Sequence, residues 1–315
     1  MNRALIGVVW GLTFVFLESI QFVFFGGIFQ RMNSFLFGFL VFGITVAAFV
    51  GWCAIKTPDQ LKSAFANPRL LIAINVTATL AWVAFLSSVQ LIEPAVAYTI
   101  GAGAMPITTY LAFRCGVPEG EAMRSRTEAF GNLLVLCGIV YLAAITVFGW
   151  SGFVRGGSLI ALAGVLFAIA DGALFTWLLI YCQRLDRVGV APGAVFGLRF
   201  PLYVVAAGSL AALGVDHKVA LPVQEIAIIV AIGLALIIPL LYALQRAVSL
   251  ISTLTISALT ALGPFVIFGL QVIEGRVDYS PVTLVGLSIY FLGALMAAFG
   301  AVQATARKPA DITGA

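Results

Sequence analysis

Ten stretches of about twenty mostly apolar residues fill almost the whole chain, each long enough to cross a bilayer as a helix. They run over 4–26, 35–55, 70–91, 94–113, 129–149, 157–181, 191–213, 224–244, 249–272 and 281–303. The connections are short, the longest at 56–69 and 114–128, and leave no room for a soluble domain. Composition agrees: 62% of residues are hydrophobic and 10% charged, with a mean hydropathy of +1.11. A soluble domain carries about 25% charged residues. An ordinary cytoplasmic enzyme, a disordered chain and a nucleic-acid binder are therefore excluded. The first apolar stretch is too long for a cleaved signal peptide and carries Glu18, so it is expected to stay as a helix.

The net charge of +4 is read by position. With ten helices, the even loops and both termini share one side. That side collects Arg3, Lys56, Lys62, Arg69, Arg114, Arg124, Arg126, Arg184, Arg187, Arg246, Arg307 and Lys308. The other side has Arg31, Arg155, Lys218 and Arg276, and Arg199 lies inside a helix. Basic loops stay in the cytosol, so both termini are expected there, in a bacterial inner (plasma) membrane. Cys53, Cys115, Cys137 and Cys182 show no metal or redox spacing, and the single His217 sits in an Asp-His-Lys loop. No cofactor or metal is expected, and the chain is read as no enzyme.

The chain repeats itself. Residues 95–107 and 253–265 are both small-residue helices with a Pro at the same place, Pro106 and Pro264. Each follows a tight connection and precedes an acidic turn, Pro118-Glu119-Gly120-Glu121 and Glu274-Gly275-Arg276. Helices 3–5 thus match helices 8–10. Five is odd, so the second half is inverted. The expected fold is an all-α integral membrane protein of ten transmembrane helices in two inverted five-helix repeats, 1–150 and 151–303, with a cytosolic tail at 304–315. Inverted repeats point to a transporter with its site near the midplane.

Gly7-Val8-Val9-Trp10-Gly11, Pro94 to Glu121 and Leu241 to Gly300 resemble the EamA-type branch of the drug/metabolite transporter superfamily. The likeness covers nearly the whole chain. It is most specific from the small-residue run through Gly263-Pro264 and Glu274-Gly275-Arg276 to Gly286 and Gly293. The first half departs from the pattern at Gly116-Val117-Pro118-Glu119. The resemblance implies metabolite movement, often efflux, and no particular substrate.

Ionisable side chains inside a membrane helix are costly and mark function by default. Glu18 in helix 1 suits proton coupling. Asp171 occupies the related place in helix 6. Arg199 in helix 7 matches Asp171 in depth, so a buried ion pair is the simplest reading, structural or substrate-holding. In the second version Arg199 grips a carboxylate or phosphate. Trp10, Asn75, Trp82, Tyr98, Trp177 and Tyr242 are the further candidates for substrate contact, with Gln21, Tyr203 and Gln245 nearby. Trp52 and Trp150 read as interfacial anchors. Pro106 and Pro264 are candidate hinges.

The expected function is secondary active or facilitative transport of a small polar or zwitterionic metabolite, such as an amino acid or derivative, by alternating access. Its partners are that metabolite, the lipid bilayer and, through Glu18, protons. A flippase for a lipid or lipid-linked sugar is the alternative, and a membrane enzyme a distant third.

Overall fold

A computed structural model describes residues 3–248, 250–251 and 259–306. Its helices are α1 (Arg3–Ile28), α2 (Ser34–Lys56), α3 (Pro58–Phe65), α4 (Pro68–Leu91), α5 (Pro94–Arg114) and α6 (Arg126–Val147). Then follow α7 (Ser158–Arg187), α8 (Pro192–Leu198), α9 (Pro201–Ala212), α10 (Val223–Val248), α11 (Gly263–Glu274) and α12 (Pro281–Ala306). Extended pairing among the described residues is limited to one isolated bridge, Ile92 with Val154. The protein is all-α, with nine candidate membrane spans among the described residues. The apolar α11 is shorter, at 12 residues. Residues 252–258, which hold most of the second small-residue run, and the tail from 307 on, with Arg307 and Lys308, lie outside the described residues.

Local sequence accounts for the boundaries. Asn33 caps α2, its side chain accepting from Leu36 N at 2.9 Å. Ser125 caps α6, accepting from Glu128 N at 3.1 Å. Pro68 and Pro94 stand in the first turns of α4 and α5, where a missing N–H costs nothing. The connection at 56–69 is not a plain loop, because Pro58 starts the short α3.

The expected helix at 191–213 is two helices. Pro201 has no N–H and the chain breaks at Arg199-Phe200. Asn75 of α4 patches the break. Its Nδ2 donates to Leu198 O at 2.8 Å and its Oδ1 accepts from Leu202 N at 3.1 Å. Irregular backbone at membrane depth needs such partners.

Large apolar side chains cover the outside, among them Ile55 at 78% and Leu159 at 83% exposed. That is the pattern of a protein whose solvent is lipid. Helix association then depends on close packing. The α6–α12 seam shows it. A methyl group on Gly131 would run into the Ala297 backbone, and one on Gly293 would come within 2.6 Å of Val135 N.

Candidate functional site

A cavity of about 790 Å³ lies between α1, α2, α4, α5, α6, α7, the α8–α9 break, α10 and α12. Its walls carry Glu18, Asp171 and Arg199, all three ionisable residues expected inside the membrane. It runs on past Tyr110 and Asn132 to Glu121, which is exposed at the end bearing the basic loops.

Each acid is placed by helical periodicity. On α1, Phe14, Glu18, Gln21 and Phe22 share the cavity face, and on α7, Asp171, Phe175 and Leu179 do. Tyr98 of α5 donates to Glu18 Oε2 at 3.1 Å and to Thr260 O at 3.4 Å. Asp171 has no such partner. Its Oδ2 stands over Gly101, where a methyl group would sit 3.3 Å away. Among the described residues it forms no ion pair or hydrogen bond. Gly172 beside it brings α7 against α5, with no space for a methyl group against Gly101 O.

The expected Asp171–Arg199 ion pair does not form. The Arg199 guanidinium lies 4.6 Å and 4.7 Å from the ring centroids of Phe196 and Phe200. Cys182 is its electrostatic neighbour, and its buried Nε has no hydrogen-bond partner. Depth along two helices gives height in the membrane but not direction. The break at Arg199 turns its side chain toward the two rings.

Trp82 and Tyr98 also line the cavity, with Trp82 edge-on to Phe42 at 4.4 Å. Four of the expected contacts lie elsewhere. Asn75 is used up by the α8–α9 break. Trp10 and Tyr242 pack edge to face on each other at 5.4 Å. Trp177 lies against Tyr181, 6.0 Å away. At about 100° per residue, six positions from Asp171 turn it to the far side of α7. Pro106 is inside α5 and lines the cavity. Pro264 instead stands in the first turn of α11, after a turn at 261–262. Of the nearby residues, Gln21 faces the cavity and Tyr203 is fully buried. The Gln245 side chain is outside the described residues.

The opposite end is closed by polar loops in which the sequence marks no site. Asp216, between α9 and α10, accepts from Ser34 N at 2.9 Å and Gln90 Nε2 at 3.2 Å, and pairs with Lys218 at 3.1 Å. Arg155 donates to Gln90 Oε1 at 2.7 Å. Below lies Glu93, fully buried, which accepts from Gly152 N at 2.8 Å, from Thr283 Oγ1 at 3.0 Å and from Gln271. Burial raises the Glu93 pKa above its ordinary 4.5, and these hydrogen bonds only partly offset that.

No family model matches the chain. No curated protein matches it either. Eleven chains of solved structures do. One, described only as "Crystal structure of protein", aligns at TM-score 0.59 and 18% identity over 96% of this chain and 98% of that one. The fold has a solved precedent. At that identity the likeness concerns the fold alone.

Proposed function

We propose that the chain is a secondary transporter of a small zwitterionic metabolite, an amino acid or derivative, working by alternating access. One observation carries the reading: Asp171 and Arg199 line the same cavity without pairing with each other. A charge kept in a low-dielectric site without a partner is costly. A ligand with an ammonium and a carboxylate supplies both missing partners, the carboxylate to Arg199 and the ammonium to Asp171. The aromatic wall around Trp82, Phe85 and Phe200 suits the apolar part of such a ligand.

The ten-helix, inverted-repeat architecture and membership of the EamA-type family belong to this proposal. Helix neighbours support the repeat. Exchanging each helix with the one five spans on turns α4–α7 into α10–α1, and α5–α7 into α11–α1, and all four contacts exist. The same exchange maps α2–α9, α5–α11 and α6–α12 onto themselves, and these contacts exist too. With basic loops in the cytosol, the cavity faces inward and the Asp216 network closes the outside. The state described is then inward-open, and export is the direction that the family resemblance favours.

Thermal unfolding of the purified protein, with zwitterionic amino acids, simple amines or simple carboxylates present, tests this. Binding to the native state raises the unfolding midpoint. Zwitterions should shift the wild type most. Asp171→Asn should lose preference for zwitterions over carboxylates, and Arg199→Gln for zwitterions over amines, each by about tenfold in affinity, one charged hydrogen bond. Equal shifts by all three classes in the wild type would sink the zwitterion reading.

A further inference from the structure

The hydroxyl of Tyr98 touches three things at once. It donates to Glu18 Oε2 at 3.1 Å and to the backbone carbonyl of Thr260 at 3.4 Å. It also presses on Gly263, where a methyl group would come within 2.9 Å of its oxygen. Thr260 and Gly263 flank the turn at 261–262 from which α11 starts. Pro264 matters here. In a continuous helix its N–H would bond the carbonyl four residues back, that of Thr260, and proline has none. The Tyr98 hydroxyl of α5 thus donates to a carbonyl that Pro264 cannot reach with an N–H.

A hydroxyl has one proton to give and two lone pairs with which to accept. While Glu18 is ionised it only accepts, and it competes with Thr260 for that proton. Once Glu18 is protonated it can donate to the Tyr98 oxygen. The tyrosine proton is then committed to Thr260, in the chain Glu18 O–H to Tyr98 O–H to Thr260 C=O. No covalent bond changes beyond the proton taken up by Glu18 from cavity water.

We propose that the Tyr98 hydroxyl is a switch that passes the protonation state of Glu18 to the start of α11. It rests on the reading of Glu18 as a proton-coupling group in a transporter, and it makes Tyr98 a positioning residue rather than a substrate contact. The titratable groups that share its cavity are Tyr290 of α12, which faces Glu18 electrostatically, Asp171 of α7, Arg199 and, toward the mouth, Tyr110 of α5, Glu121, and Glu128 of α6. Where α2, α4 and α10 reach the cavity they contribute Phe42, Trp82, Phe85 and aliphatic side chains, none titratable.

The test uses the full chain in lipid nanodiscs from pH 5 to pH 9 and reads two signals. The infrared carboxyl band lost in Glu18→Gln reports protonation of Glu18. Hydrogen exchange across 259–274, corrected for intrinsic rates, reports the start of α11, with the α6–α12 seam as internal reference. In the wild type both should titrate at one midpoint, α11 exchanging about threefold to tenfold more slowly in acid, the worth of one hydrogen bond. Tyr98→Phe keeps the ring and its edge contact with Phe22 at 4.9 Å. There the Glu18 band should still titrate and α11 exchange should lose its pH dependence. Gly263→Ala, which displaces the hydroxyl without touching Glu18, should do the same. Glu18→Gln, a donor at every pH, should hold α11 in its slow state throughout. The switch is overturned if Tyr98→Phe and Gly263→Ala retain the wild-type response, if wild-type α11 ignores the Glu18 titration, or if Glu18 does not titrate in this range. No substrate enters the measurement. Zwitterions that never bind leave a working switch standing and remove the transport reading, whereas binding with an unresponsive α11 removes only the switch.

Discussion

The two ends of the molecule are built by opposite rules. At the basic end the cavity opens past Tyr110 and Glu121, and the polar contacts stay beside the mouth: Glu119 pairs with Arg184 at 2.7 Å and Arg187 at 2.9 Å, tying the α5–α6 loop to α7. At the other end, segments from both halves of the chain converge on two buried or half-buried carboxylates, Glu93 and Asp216. For the proposed transporter, the contrast teaches where a change of state must act. Opening the closed end requires orphaning several donors together, whereas the mouth already stands open. A polar network of this kind is stable only when fully satisfied, and costly when half-satisfied.

The largest way to break the contrast is Glu93→Ala. It strands Gly152 N, Gln271 and Thr283 in a site with no exposure. Each orphaned buried donor costs about 1–3 kcal/mol. A loss of about 3 kcal/mol or more is expected, read as a fall in the unfolding midpoint in detergent. Glu119→Gln at the open end loosens Arg184 and Arg187, whose side chains are 33% and 63% exposed and can turn to water, and should move that midpoint far less. Equal losses would show that the closed end is no more tightly built than the open one.

Next in size is Asp216→Ala, which frees the α1–α2 turn and Gln90 without emptying a core site. Met32 in that turn is 1% exposed. Placed at that position in an otherwise wild-type chain, Met32→Cys is a reporter of opening. Asp216→Ala should speed its maleimide labelling by about tenfold, the equilibrium worth of one charged hydrogen bond. The site is read by mass spectrometry, because native Cys115 and Cys137 are exposed too. An unchanged rate would mean that Asp216 decorates the closed end rather than holding it.

How much of this was legible follows from the same contrast. The spans could be read because a membrane helix announces itself in a continuous run, and the three charged residues because they interrupt such runs. All three do line one cavity. Trp10, Trp177 and Tyr242 could not be sorted by hydropathy, since a ring against lipid, another ring or a cavity sits in the same apolar sequence. Asn75 lies buried in α4, yet its partners Leu198 and Leu202 are more than 120 residues away. Pro201 marks where a helix loses an N–H, but no local pattern ties Asn75 to that place. The closed end was the least legible part. Asp216 sits two residues from Lys218 in a loop that the sequence marks only by His217 and by the charge of Lys218, and its partners come from connections scattered over the chain. Short polar loops carry no periodicity from which a meeting point can be read.

The smallest effect is a pH dependence in which the two carboxylates of the closed end pull in opposite directions. Burial works to raise the Asp216 pKa, but Ser34 N and Lys218 outweigh it and hold the group below its ordinary 3.8. A depressed folded-state pKa gives stability that is full above the unfolded value and lost only as pH falls through the folded one. Asp216 therefore keeps the end shut throughout pH 5–8. Glu93 is shifted the other way, above 4.5. Its folded state holds the proton more tightly than the unfolded state, so its contribution is full below 4.5 and is lost as pH rises toward the folded value. Acidification from pH 8 to pH 5 should then leave Met32→Cys as protected as before or more so, and never less. Labelling by a reagent of pH-independent reactivity reads this directly. Faster labelling at pH 5 would show that acid opens this end, and that the balance between Asp216 and Glu93 has the opposite sign.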